Sequence, residues 1–114
     1  MPSYDPSKTC TLQPGDKMAL WNAETPSAPA ASVAFARGMA TSGSDQGSTF
    51  QVHFPGTASV QIQAANIDND ASYTNVGTAI ATSGGSYTNT ERFAFYRAQV
   101  AALTGGNVTV VVQR

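Results

Sequence analysis

The sequence predicts an all-β fold, an antiparallel β-sandwich of seven to eight short strands, on three observations. Short segments alternate apolar and polar residues with a period of two, as in Phe50-Gln51-Val52-His53-Phe54 and Val60-Gln61-Ile62-Gln63-Ala64. Gly, Pro, Ser, Asn and Asp gather between these segments as turn signals. No alternation of strand and helix patterns suggests a parallel α/β sheet. The pattern leaves both an immunoglobulin-like and a jelly-roll strand order open.

Composition agrees. A chain of 114 residues is one domain, and it buries roughly two-thirds of its unfolded surface. Only 11% of the residues are charged, against roughly 25% in an ordinary soluble domain; Ser, Thr, Asn and Gln take their place. Six Lys plus Arg against seven Asp plus Glu leave a net charge of −1, and no cationic cluster exists to neutralise phosphates, so nucleic acid is not an expected partner. The single cysteine, Cys10, has no internal disulfide partner and suits a reducing compartment. No apolar run approaches the roughly 20 residues of a membrane helix. Met1-Pro2-Ser3-Tyr4-Asp5 lacks the basic and apolar regions of a signal peptide, so the expectation is a soluble protein not exported by that route.

Taken in order, residues 1–15 carry Pro2, Pro6, Pro14 and Gly15 and read as an extended N-terminal arm, with the sandwich spanning 16–114. Lys17–Trp21 is the first strand. Pro26 and Pro29 make Ala23–Pro29 a loop. Ser32–Arg37 is a short strand with Val33 and Phe35 on one face, and Gly38–Ser48 is an exposed Gly/Ser loop. Thr49–Phe54 and Ala58–Ala64 each have one dry and one wet face. Joined by Pro55-Gly56, they read as an antiparallel hairpin. Asn66–Ser72 is a polar loop, Tyr73–Val76 and Thr78–Thr82 are weaker strands, and Ser83–Ser86 is a turn.

Arg92–Leu103 changes phase internally. Phe93 and Phe95 share one parity, while Tyr96, Ala98 and Val100 share the other, which a bulge near Phe95-Tyr96 would reconcile. A helix over Glu91–Ala102 is the competing reading, since Ala, Arg and Gln favour it. The last strand, Asn107–Gln113, aligns Val108, Val110 and Val112. Pairing it with the preceding strand, apolar faces together, requires an odd loop such as Thr104-Gly105-Gly106 with a left-handed glycine.

Groups that perform chemistry are sparse. His53, the one histidine, falls between core positions and is expected on the polar face, without the oriented acid that Ser-His-Asp catalysis needs. Cys10 lies in the arm. Asp68-Asn69-Asp70 lacks the glycine and distal glutamate of a calcium loop and reads as an Asx-type turn. Glu91 has no local carboxylate partner. No zinc spacing or phosphate-binding glycine loop is present. Arg92 and Arg97 flank Phe93, Phe95 and Tyr96 and read as arginines snorkelling over a strand, or as inter-subunit pairs. Trp21 beside Leu20 is assigned to the core; exposed, Trp21 or Tyr87 would make a stacking surface for a sugar.

From Val60 to Val112 the order Val60-Gln61-Ile62-Gln63-Ala64-Ala65-Asn66-Ile67-Asp68, Tyr73-Thr74-Asn75-Val76-Gly77, Tyr96-Arg97-Ala98-Gln99-Val100 and Leu103-Thr104-Gly105-Gly106-Asn107-Val108-Thr109-Val110 resembles the β-sandwich modules of tailed-phage structural proteins. Tyr73 stands where many such modules carry tryptophan. The resemblance implies a virion component without catalytic residues or cofactor: a capsid decoration (cement) protein, a fibre module or an adaptor. Decoration is the favoured expectation, because the chain reads as short and complete from Met1, with no coiled coil or fibre repeat. That implies made-in-host-cytoplasm protein on the capsid surface, a dimer or trimer contacting the major capsid protein. Partner contacts would fall on Pro2, Tyr4 and Pro6 of the arm and on Trp21, Arg92 and Arg97. The alternative is a carbohydrate- or receptor-binding module of a head or tail fibre.

Overall fold

Alternation along the chain becomes two facing sheets in the computed structural model, which describes residues 6–13, 15–37, 47–89, 91 and 93–114. The strands are β1 (Cys10–Leu12), β2 (Lys17–Glu24), β3 (Ala30–Ala31), β4 (Phe35–Arg37), β5 (Ser48–His53), β6 (Thr57–Ala65), β7 (Thr74–Asn75), β8 (Ser86–Asn89), β9 (Phe95–Thr104) and β10 (Val108–Gln113). One sheet runs β1-β4-β9-β6-β7, with β3 also on β9; the other runs β2-β10-β5-β8. Pairing is antiparallel except at the edge, where β1 lies parallel to β4.

The inward half of each alternation makes the core. Phe50 and Val52 of β5, Val60 and Ile62 of β6, Tyr96, Ala98 and Val100 of β9, and Val108, Val110 and Val112 of β10 are all buried. Rings bridge the sheets: Phe50 lies 6.1 Å from Phe35 and 5.8 Å from Tyr96 between centroids. Such pairs add about 0.5–1.5 kcal/mol beyond the area they bury. Trp21 reaches across as well, its indole N–H donating to the Ala98 carbonyl at 3.1 Å.

Both expected hairpins are corrected. Strands β5 and β6 belong to different sheets, and so do β9 and β10. Pro55-Gly56 and Gly105-Gly106 therefore carry the chain across the core instead of folding it back on its neighbour. Inward-facing parity is satisfied equally by strands side by side and by strands face to face, so the pattern could not choose. The two crossings nest against each other. A Cβ on Gly56 would sit 2.1 Å from the Thr104 carbonyl oxygen, and one on Gly106 would sit 2.6 Å from Pro55 Cγ. Gly105 and Gly106 also hold φ of +83° and +148°, which glycine alone adopts without strain.

Further differences are local. Cys10–Leu12, expected in the arm, forms the edge strand β1 and buries Leu12. The expected strand Ser32–Arg37 shortens to Phe35–Arg37, with β3 ending before it at Ala31, and Ser32 meets β9 with its side chain: its hydroxyl accepts from Ala98 N–H at 2.9 Å, and its own N–H donates to Ala98 O at 2.9 Å. Ala34 and Phe35 are the buried pair there, with Val33 half-buried. Most of the Gly38–Ser48 loop, residues 38–46, lies outside the described residues. Ser83–Ser86 turns the chain but leads directly into β8, a strand the local pattern did not announce.

β9 is a strand and not a helix, since hydrogen bonding to neighbours on both sides overrides a modest helix propensity. Its irregularity lies away from Phe95-Tyr96. Ser59 pairs Ala102 while Val60 pairs Val100, leaving Ala101 as the extra residue and turning Leu103 towards the core. Phe95 lies on the opposite face from Tyr96 and packs on a second small cluster, Ala34, Ala65 and Tyr73. The second cluster accounts for the parity of Phe95, while Phe93, ahead of β9, packs on the main core edge-on to Tyr96.

Candidate functional site

The two outer faces of the sandwich differ. On the β1-β4-β9-β6-β7 sheet, the 66–73 segment folds back over the strands and is pinned by a chain of polar contacts. Arg97, only 4% exposed, donates from Nε to Gln63 Oε1 at 2.8 Å and pairs with Asp70 at 2.6 Å. Its guanidinium carbon lies 4.2 Å from the Tyr73 ring centroid, a cation–π arrangement. Tyr73 Oη donates to Asp68 at 2.8 Å, and Thr9 Oγ1 donates to the other oxygen of Asp68 at 2.7 Å. Asn69 caps the short turn Asp70–Ser72, its Oδ1 accepting from Ala71 N–H at 3.0 Å. This is the Asx-type turn expected from the sequence, and its carboxylates are occupied by chain contacts.

Among the described residues, no segment folds over the outer face of the β2-β10-β5-β8 sheet. This face presents the outward half of each alternation: Thr49, Gln51 and His53 of β5, Thr109, Val111 and Gln113 of β10, and Ser86 and Thr88 of β8. These stand opposite one another in register, Thr109 with His53, Val111 with Gln51 and Gln51 with Ser86. Thr49 and Thr88 join hydroxyls at 2.9 Å. Ala19 continues the row beside Val111, and Lys17 closes it beside Gln113. The face is a hydrogen-bonding surface with charge only at its margin. With strands about 4.8 Å apart and about 3.4 Å per residue, it offers on the order of 300 Å².

Of the residues proposed as partner contacts, Pro2, Tyr4 and Arg92 lie outside the described residues. Pro6 opens a 3-10 turn, Pro6–Lys8, ahead of β1. Trp21 is buried, as the core assignment expected, and offers no free ring face. Arg97 does not snorkel. It is enclosed because the 66–73 segment, absent from any local reading of β9, closes over it. Tyr87 is half-buried, stacked on Phe50 at 6.4 Å, with Gly77 against its ring: a Cβ on Gly77 would meet Tyr87 Cε1 at 2.5 Å. His53 is exposed on the outer face, and Cys10 is an exposed free thiol. No group of three or more His, Cys, Asp or Glu able to hold a metal occurs among the described residues.

Thr49, Gln51, Thr88, Thr109 and Val111 were not singled out in the sequence. Their signal was present as the wet half of each alternation, but it becomes a surface only once β10 is seated between β2 and β5. No family model, curated protein or solved structure matches the chain.

Proposed function

We propose that this chain is a non-catalytic virion protein that decorates the outer surface of an assembled tailed-phage head and bridges its capsid subunits. The observation that carries the proposal is the almost uncharged outer face of the β2-β10-β5-β8 sheet, over which no described residue folds. A face of about 300 Å² falls well below the roughly 800 Å² per partner of a standard stable interface. One such contact is weak. Many, repeated over a lattice, stabilise the assembled shell alone by mass action. Neutral Thr, Gln and Ser groups suit a wet contact of this kind, since they carry no large desolvation cost. The resemblance of Val60–Val112 to phage sandwich modules supports the same reading.

A glycan-binding role is the weaker reading. It requires a free aromatic platform at Trp21 or Tyr87, and both rings are taken up in packing. The test is co-sedimentation of the purified chain with heads of the encoding phage stripped of their decoration. The chain is expected to sediment with the heads and raise the temperature at which they open. Gln51→Glu combined with Val111→Glu, which charges the face without touching the core, is expected to abolish both effects. Absence of the chain from purified particles, or binding indifferent to these substitutions, would refute the proposal.

A further inference from the structure

We propose that Glu24 guards the open edge of β2, its carboxylate occupying the amide with which β2 of a second copy would otherwise pair. A terminal strand offers unpaired N–H and C=O groups to any other strand, and proteins blunt such edges by shortness, bulges, charge or proline. Three of the four terminal strands here are short: β1 has three residues, β7 two and β8 four. β2 ends its sheet with eight, contains no proline, and has no described strand beyond it. Shortness does not protect this edge.

The last residues of β2 protect it instead. Asn22 lies within the strand, so its N–H and that of Ala23 point to opposite sides. Ala23 N–H turns to β10, donating to Thr109 Oγ1 at 3.0 Å. Asn22 N–H therefore faces the open side, and there Glu24 Oε2 accepts it at 3.2 Å.

Ala23 makes that contact possible. Among the described residues it is the one non-glycine with a positive φ, +52°. This conformation strains an L-residue and persists only where the surroundings hold it. The reversal swings Glu24 out of line and back beside Asn22. Register with β10 shifts at the same place, Val108 facing Glu24 while Val110 faces Trp21, so the strand ends in a bulge. An added strand would have to displace the carboxylate or bury it against backbone carbonyls, which is costly. Strain, bulge and carboxylate thus coincide on the one long edge, and together they close it to a further strand. The inference stands apart from the virion reading, which concerns the outer face of the sheet and not its edge.

Sedimentation velocity of the full chain from micromolar to millimolar concentration, wild type against Glu24→Val, tests it. Valine removes the acceptor and favours a strand, so this variant should associate at a concentration at least about tenfold lower than the wild type. Glu24→Gln, which keeps an oxygen for Asn22 N–H, should match the wild type. Amide hydrogen exchange places the contact: Asn22 N–H should exchange faster in dilute Glu24→Val than in the wild type, and become protected as the variant associates. Glu24→Val no more associated than the wild type, Glu24→Gln associating as readily as Glu24→Val, or association that leaves Asn22 N–H unprotected would each overturn the inference. Thermal melting confirms that the variants fold, and Glu24→Thr takes the place of Glu24→Val should that variant fail to fold.

Discussion

Substituting Gly56→Ala tests the least expected feature of the fold, the two nested crossings between sheets. The added Cβ would lie 2.1 Å from the Thr104 carbonyl oxygen and 3.0 Å from Gly105 Cα. Carbon and oxygen ordinarily approach no closer than roughly 3.3 Å, so one crossing must move by more than about 1 Å. Overpacking of this kind costs about 1–3 kcal/mol. Because the obstructing atoms are backbone, the upper end, about 3 kcal/mol, is expected. At roughly 2.1 cal/mol/K per residue, unfolding 114 residues has an entropy near 0.24 kcal/mol/K. The melting temperature should then fall by about 12 °C. Gly84→Ala is the control: its φ is +84°, yet nothing lies within 4 Å of the new Cβ. Only the left-handed strain of about 1 kcal/mol applies there, a drop of about 4 °C. Calorimetry and urea titration measure both. If Gly56→Ala melts no lower than Gly84→Ala, the crossings do not nest and the assignment of β5 and β6 to separate sheets fails.

Other consequences are as direct. The Tyr96 hydroxyl lies 2.6 Å from Asn89 Oδ1 and 2.7 Å from the Glu91 carbonyl, so Tyr96→Phe should cost about 1–2 kcal/mol by removing a buried donor beside the buried Asn89, read as a shift in urea midpoint. Trp21, the sole tryptophan and buried, should emit at short wavelength, resist acrylamide quenching and shift red on unfolding; emission typical of solvated indole in the native protein would contradict its place in the core. Asp70→Ala should cost about 1 kcal/mol, since the half-exposed pair is screened by solvent and Arg97 keeps its bond to Gln63 and its place over Tyr73. A loss within experimental error would mean that Arg97 does not depend on that carboxylate. His53→Ala, on the exposed outer face, should change stability by less than about 0.5 kcal/mol in the same titration.

Much of the strand content was legible before any coordinates. Phe50, Val52, Val60, Ile62, Tyr96, Ala98, Val100, Val108, Val110 and Val112 were all placed inward by parity, and all are buried. His53 was placed outward and is exposed. The binding face was legible only in pieces. Thr49, Gln51, Thr109 and Val111 each bear the mark of an outward residue, but nothing in their neighbourhoods reveals that β5 and β10 are adjacent. Arg97 was misread for a related reason: its surroundings come from Gln63, Asp70 and Tyr73, residues 24 to 34 positions earlier in the chain.

What the sequence by itself determined is therefore the class of the fold, the inward and outward side of each principal strand, and a surface poor in charge. Partnership among the strands was decided by the tertiary structure. A period of two encodes only which face a side chain occupies, and a dry face is satisfied as well by a strand across the core as by one alongside it. Where the chain crosses and where it folds back depends on close packing between turns distant in sequence, here Pro55-Gly56 against Gly105-Gly106. That steric fit exists only when both turns are present.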